Sequence, residues 1–132
     1  MLEEAKARGW ASDPVRRQRL IQIWSRLEIM RLNTMRMLTL ADQPELSGPG
    51  YISKLYWARL HRDLGELAID VLGADGNLCV DGEPSGYELS DAQKLFLFTR
   101  SDTIYGGSNQ VQRNIIGERA LGLPPEPKVV AP

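Results

Sequence analysis

The stretch from Val15 to Ala41 limits the fold more than any other part of the chain, because it contains no glycine and no proline. Ser12 and Asp13 stand before Pro14, and a capping side chain followed by proline at the first helical position is a common start of a helix. At about 1.5 Å per residue, the stretch predicts a helical rod of about 40 Å. The fold must therefore accommodate one long helix.

Apolar side chains line this predicted helix on two faces. The first stripe is Leu20, Ile23, Trp24, Leu27, Met30, Thr34, Met37 and Leu38, and the second is Ile21, Ile29, Leu32 and Leu40. One face should pack against a bundle core, and the other against a neighbouring helix or another subunit. The helix is also rich in arginine, which indicates either ion pairs with acidic neighbours or, near the helix start, contact with a phosphate.

Three further helices follow from apolar spacing and capping residues. A helix over 51–72 has apolar residues at alternating steps of three and four, and it should end at Gly73. Its seam is Trp57, Leu60, Leu64, Leu67 and Val71. Ser90 and Asp91 should cap a third helix, and the last should run from Ser108 to about Leu121 with Val111, Ile115 and Ile116 inward. The pattern predicts an all-α fold, an antiparallel helical bundle.

The flanking segments divide the chain. Residues 1–9 are typical of the tail of a longer, truncated helix, residues 10–122 form the bundle domain, and residues 123–132 should be a disordered tail. The connector at 43–50 is rich in turn residues. The loop at 74–89 is either a functional loop or a surface excursion.

Composition excludes several classes of protein. The 132 residues carry a net charge of -1, so the chain has no field that would attract nucleic acid or a membrane surface. The single Cys79 excludes an intrachain disulfide, and there is neither a long apolar run nor a basic leader, so we expect a cytoplasmic protein. His61 is the only histidine; it lacks a partner for a metal site, and we expect a surface or packing role.

A double glycine stands before the last predicted helix. Gly106 and Gly107 break the preceding helix, and Ser108 or Asn109 can cap the free N–H groups that follow. Helix N-termini attract anions, and glycine lets a ligand approach the main chain closely. From the residues alone, simple capping explains Ser108 and Gln110 slightly better than ligand binding does.

The stretch from Thr103 to Pro124 resembles the C-terminal signature of the acyl-CoA dehydrogenases, FAD flavoproteins that desaturate acyl-CoA thioesters between Cα and Cβ. About twenty consecutive positions match the family pattern Ile-Tyr-Glu-Gly-Thr, followed by Gln-Arg-Asn-Ile-Ile and Glu-Arg-x-Leu-Gly. The likeness extends back through 94–100 and through 68–73. It implies an antiparallel helical domain that supplies part of the FAD site and of an oligomer interface.

The resemblance also implies which residues bind ligands. Tyr105 and Gly106 would line the acyl or thioester end of the substrate pocket, while Gly107 and Ser108 would approach the flavin and its phosphates. Gln110 would contact the adenosine half of FAD. Asp70 and Gly73, which replace the family's Gln and first Gly, and Arg8, which has the spacing of a family arginine, would reach the FAD of a neighbouring subunit.

The family's catalytic glutamate is absent from the signature. In many members a glutamate after the tyrosine removes the α-proton, and here that position is Gly106, so the chain carries no catalytic residue of its own. The base could lie on a long helix that this chain lacks, come from a partner subunit, or be missing from a protein that keeps the fold without the reaction. Asp102 and Glu118 are poor substitutes.

The resemblance predicts the C-terminal domain of an FAD-dependent acyl-CoA dehydrogenase that is inactive as an isolated fragment. Its partners would be an acyl-CoA substrate, an electron-transfer acceptor and other subunits in a homo- or hetero-oligomer, with no metal, nucleic acid or membrane. Two alternatives stay open: a helical oligomerisation module without a redox role, and an acyl-CoA oxidase or flavin hydroxylase of the same fold.

Overall fold

The computed structural model describes residues 1–40, 42, 48–78, 88–125 and 127. Most of the predicted connector at 43–50, Cys79, most of the loop at 74–89 and most of the predicted tail lie outside the described residues. The elements in chain order are α1 (Leu2–Ala7), α2 (Pro14–Thr39), α3 (Gly48–Leu72), a 3-10 helix (Gly73–Asn77), α4 (Asp91–Phe98), a 3-10 turn (Ser101–Thr103), α5 (Asn109–Ile115) and a π-helix (Ile116–Ala120). The described part of the chain is helical, which confirms the predicted all-α class.

Helix α3 is the centre of the bundle, because α2, α4 and α5 all pack against it. The pairing of α2 with α3 is antiparallel: Arg19 forms an ion pair with Asp70, and Arg26 Nη1 lies 2.7 Å from Asp63 Oδ2. Moving forward along α2 therefore means moving backward along α3. These ion pairs also confirm that arginines of α2 meet acidic neighbours.

Local capping signals set the helix ends as the sequence predicts. Asp13 caps α2, since its Oδ1 accepts from the N–H of Val15 at 2.9 Å and of Arg16 at 3.0 Å. The bond from Arg16, more than that from Val15, lowers the pKa of the Asp13 carboxyl. Ser90 and Gln93 form a capping box at the start of α4. Gly73 follows α3 with φ +62°, a conformation that favours glycine.

The buried core lies along the predicted seam of α3. Leu60, Leu67 and Val71 are buried, and Leu64 packs against them. The same cluster includes residues that precede α2, since Ala5 and Trp10 are also buried. The segment predicted to be the tail of a truncated helix thus contributes Ala5 to the core of this domain.

The prediction for the two faces of α2 is partly wrong. Ile23 is buried and Met30 packs against the core, but Trp24 of the same predicted stripe is 58% exposed and Leu38 is 72% exposed. A second apolar face, which we call the outer stripe, points away from α3. It consists of Ile21, Trp24, Leu32 and Met35, each about half exposed. At about 100° per residue these four lie within one side of the helix, opposite Ile23.

Helices α3 and α4 lie close together at Gly65. A Cβ added there would lie 2.7 Å from Thr99 Oγ1 and 3.2 Å from the Cα of Phe96. Thr99 is fully buried, so it has no room to move aside. Arg100 pairs with Glu66 at 2.7 Å beside this contact. Glycine at position 65 therefore sets the spacing of the two helices.

We expect Gly65→Ala to destabilise the domain by about 1–2 kcal/mol, although alanine normally favours a helix interior over glycine by about 1 kcal/mol. The added methyl group must push α4 away from α3. The matched control is Gly50→Ala in the same helix, where the new Cβ would meet only Met37 Cε at 3.8 Å. Urea unfolding of both variants tests this, and the free energies of unfolding should change in opposite directions.

The last helix differs from its prediction. Only Asn109–Ile115 is α-helical, and a wider π-turn follows, in which the N–H of Leu121 reaches the carbonyl of Ile116 at 3.1 Å. Val111, predicted to face inward, is 49% exposed, whereas Ile115 and Ile116 are partly buried. The helix packs against α3 without being enclosed, so one apolar position faces outward. Gly122 ends the segment with φ +67°.

Candidate functional site

The chain turns sharply between the 3-10 turn and α5, at the double glycine. Gly106 has φ +63° and Gly107 has φ +93°, a region that other residues rarely adopt. Ser108 then caps α5, because its Oγ accepts from the N–H of Val111 at 3.3 Å. Tyr105 is 51% exposed and Gly106 is also exposed. We refer to residues 105–108 as the glycine corner; it lies at the surface.

In the glycine corner, two carbonyl groups accept hydrogen bonds, whereas three N–H groups have no acceptor among the described residues. Lys54 Nζ donates to the carbonyl of Gly107 at 3.1 Å, and Gln112 Nε2 donates to that of Gly106 at 3.0 Å. In contrast, the backbone N–H groups of Gly106, Gly107 and Ser108 have no acceptor within the described part of the chain. The buried Oδ1 of Asn109 likewise has no partner among described residues. The corner therefore presents three backbone donors that the described residues do not use.

A fully buried carboxylate lies directly behind the corner. Asp102 is 0% exposed; its Oδ1 accepts from the Tyr105 hydroxyl at 2.5 Å, and its Oδ2 lies 2.5 Å from His61 Nδ1. The His61 ring stacks on Trp57 with the ring centroids 4.2 Å apart. The hydrogen bond to Asp102, followed by partial desolvation, raises the pKa of the Tyr105 hydroxyl. This residue therefore stays neutral and acts as a donor.

Sequence reasoning missed this network. His61 does pack against an aromatic ring, as predicted, but it also binds a buried carboxylate 41 positions further along the chain. A carboxylate three residues before Tyr105 is visible in the sequence, whereas its pairing with α3 depends on the register of two helices. Asp102 remains a poor substitute for the catalytic base, because both of its oxygens are already engaged.

The predicted cofactor residues form two groups at opposite ends of α3. Gly107 contacts Lys54, and Ser108 and Gln110 follow it along the chain, while Arg8 Nη1 donates to the carbonyl of Leu72 at 2.9 Å. Lys54 and Leu72 are separated by about five helical turns, or about 27 Å. The structure thus brings the corner residues together at one end of α3. Arg8, Asp70 and Gly73, which we call the second group, lie at the other end, and the two groups do not meet.

The second group is held by ion pairs within the chain. Arg8 Nε lies 2.5 Å from Glu4 Oε1, and its Nη1 lies 2.8 Å from Asp75 Oδ2. These contacts, first with Glu4 and then with Asp75, raise the pKa of the Arg8 guanidinium. Asp70 is similarly paired with Arg19. Gly73 is exposed, and a Cβ there would meet nothing within 4 Å.

Within the residues described, no helix combines the length and apolar character needed to cross a lipid bilayer.

Comparison with known proteins agrees with the family resemblance of the sequence. The family model described as "Acyl-CoA dehydrogenase, C-terminal domain" matches residues 2–121. The protein named acyl-CoA dehydrogenase IpdE1 from Mycobacterium tuberculosis is 47% identical over 130 residues, which is 97% of this chain and 32% of that protein.

Acyl-CoA dehydrogenase IpdE1 from Mycolicibacterium smegmatis is also similar, with 48% identity over 128 residues. These residues cover 97% of this chain and 30% of that protein. This chain thus spans about a third of the length of these relatives. A solved structure described as a Tcur3481-Tcur3483 steroid ACAD superposes with a TM-score of 0.74 at 27% identity, covering 95% of this chain and 33% of that chain.

Proposed function

Since this chain belongs to the acyl-CoA dehydrogenase family, as its C-terminal domain, we propose that it supplies one edge of an FAD site and part of an oligomer interface in an acyl-CoA dehydrogenase. The observation that carries this proposal is the glycine corner. It combines surface exposure, three backbone N–H groups without an acceptor in the described part of the chain, and a serine hydroxyl. Such a group of donors is suited to phosphate and other anionic oxygens.

The residues of the corner fit a dinucleotide. Gly107 and Ser108 would bind phosphate oxygens through their N–H groups, and Gln110, which is exposed, would bind the adenosine half. When bound, FAD would accept the hydride from the β-carbon of the acyl group.

The second group would serve a different copy of the cofactor. Because Arg8, Asp70 and Gly73 lie about 27 Å from the corner, we infer that they face the FAD of a neighbouring subunit. The guanidinium of Arg8 is shared with two carboxylates, so its contribution to phosphate binding is reduced. Two half-sites on one domain require an oligomer, either homomeric or mixed, to complete each site.

The base that removes the α-proton would come from outside this chain. Gly106 has φ +63°, a conformation that a glutamate would adopt only with strain, so the corner is built for glycine. The favoured source is a helix of the whole protein beyond residues 1–132, and the next is a partner subunit. A protein that keeps the fold without the reaction is the remaining alternative.

The substrate would be an acyl-CoA thioester, with Tyr105 and Gly106 at its acyl or thioester end. The solved structures of similar fold are described as a steroid ACAD and a variant of it, and this favours a steroid-derived acyl group. Electrons would pass from the flavin to a separate acceptor. We expect the protein to act in the cytoplasm.

The test uses the chain alone and a chimera in which it replaces the matching segment of the Mycolicibacterium smegmatis relative. The purified chain should be colourless and inactive with acyl-CoA, because it holds only one edge of the site. The chimera should bind FAD and oxidise acyl-CoA when it is expressed and purified in the same way as the unmodified relative. A stoichiometric yellow flavin on the chain alone, or a chimera without flavin, would refute the proposal.

Substitution of two of the glycines with positive φ, one in the corner and one outside it, makes the test specific. In the chimera, Gly107→Ala should lower the affinity for FAD about tenfold, since alanine is strained at φ +93° and its Cβ would lie 2.7 Å from Gln112 Nε2. Gly122→Ala is the control, with φ +67° but no atom within 4 Å of the new Cβ. It should leave the flavin affinity unchanged. Equal losses in both variants would point to general backbone strain.

The outer stripe of α2 favours a second function, that of a helical oligomerisation module without a redox role. It exposes Trp24 and three further apolar side chains on one face. The colour of the chimera separates the two functions, because a module of this kind would assemble without retaining FAD.

A further inference from the structure

Burial of Asp102 is costly unless both of its oxygens are satisfied. The side chain is 0% exposed, and its two hydrogen-bond partners, His61 and Tyr105, come from different segments. Replacement of a whole buried polar network by apolar residues of similar size is often neutral or stabilising, so the network as a unit adds little net stability. Stability therefore does not explain why an aspartate occupies this position.

Tyr105 shows what the carboxylate does. Its ring is half exposed, yet its hydroxyl points inward to Asp102 at 2.5 Å. Packing of the core does not explain why a buried carboxylate anchors an aromatic ring that is itself exposed. The anchor fixes the side chain in one orientation, and it leaves the ring, rather than the hydroxyl, to face a ligand.

Helix α3 holds the corner at a second point. Lys54 Nζ donates to the main-chain carbonyl of Asp102 at 2.6 Å and to that of Gly107 at 3.1 Å, so one ammonium group joins both sides of the corner. The same ammonium lies 5.7 Å from the centre of the Tyr105 ring. Lys54 and His61 are two turns apart on α3 and share one face of the helix. The corner is thus attached to the most buried helix of the bundle.

We propose that Asp102 is a positioning residue that, together with His61, holds the ring of Tyr105 in the orientation that receives the acyl end of an acyl-CoA, while Lys54 holds the main chain of the glycine corner. This inference rests on the proposed function for the identity of the ligand. The network itself is a property of this chain. Experiments on the chain alone therefore test the network, and experiments on the chimera test the identity of the ligand.

The first measurement uses the chain alone and the titration of Tyr105 by NMR, assigned with Tyr105→Phe. In the unchanged chain the hydroxyl should ionise above the ordinary tyrosine value of about 10. Asp102→Leu should stay folded, although it leaves His61 and Tyr105 without their shared partner, and it should return the pKa of Tyr105 to about 10. The control Asp63→Leu removes a carboxylate of α3 that pairs with Arg26 and not with the corner.

The second measurement uses the flavin-loaded chimera. Asp102→Leu should raise the KM for acyl-CoA about tenfold with little change in kcat or flavin content, as expected when a contact made equally in the ground and transition states is weakened. His61→Asn keeps an N–H donor and should retain most of the affinity, whereas His61→Leu should behave like Asp102→Leu.

Each outcome decides the proposal. An unchanged KM and an unchanged Tyr105 titration in a folded Asp102→Leu variant would overturn it. So would loss of folding or of flavin in both Asp102→Leu and His61→Leu, because the network would then be structural. Flavin missing from the chimera before any substitution counts against the proposed function instead, and the titration of the chain alone then decides whether Asp102 orients Tyr105.

Discussion

Replacing Leu60 by alanine should lower the free energy of unfolding of the domain by about 3–5 kcal/mol. Leu60 is 0% exposed, and it belongs to the same core cluster as Ile23, Leu67 and Val71. The substitution removes buried apolar surface and leaves a cavity where α3 contributes to this cluster. Because a domain of this size is stable by only about 5–15 kcal/mol, the variant should be close to unfolding.

Urea unfolding followed by circular dichroism measures this loss. The matched control is Leu97→Ala on α4, where the side chain is 55% exposed, and there the change should stay within about 0.5 kcal/mol. Leucine and alanine have similar helix propensities, so the difference between the variants reports burial. A loss below about 1 kcal/mol for Leu60→Ala would mean that the core around α3 is not packed as described.

The second large effect concerns association. If the outer stripe of α2 is an interface, the double variant Trp24→Glu with Leu32→Glu should raise the dissociation constant between subunits at least about 100-fold. Trp24 is 58% exposed and Leu32 is 56% exposed in the single chain. Burial of each side chain contributes about 1.5–3 kcal/mol, and a buried unpaired carboxylate adds a further penalty.

Analytical ultracentrifugation of the chain tests this expectation. Val15→Glu with Leu121→Glu introduces the same charges at positions 71% and 68% exposed, outside the outer stripe, and should leave association unchanged. Circular dichroism should show that both double variants remain helical. A chain that is already monomeric before any substitution would argue against the interface and against the oligomerisation alternative alike.

The sequence alone determined the features that depend on near neighbours. Asp13 before Pro14 and Ser90 mark helix starts because a capping side chain reaches only two or three residues along the chain, and Gly73 marks a helix end because glycine adopts a positive φ without strain. The apolar seam of α3 was likewise predictable, since its period is that of a helix. The signature from Thr103 to Pro124 was sufficient to indicate the family, which the match over residues 2–121 confirms.

Only the tertiary structure decided which distant residues meet. The packing of the 3-10 turn against α3 brings Asp102 to His61, and contacts at the two ends of α3 hold Arg8 beside Leu72 and Gly107 beside Lys54. It also decided that Trp24 faces outward while Ile23, its neighbour, is buried. Both residues are apolar, so helical periodicity could not distinguish them. The buried face depends on how the whole helix is oriented against α3, and that orientation is set by packing across the bundle rather than by local sequence.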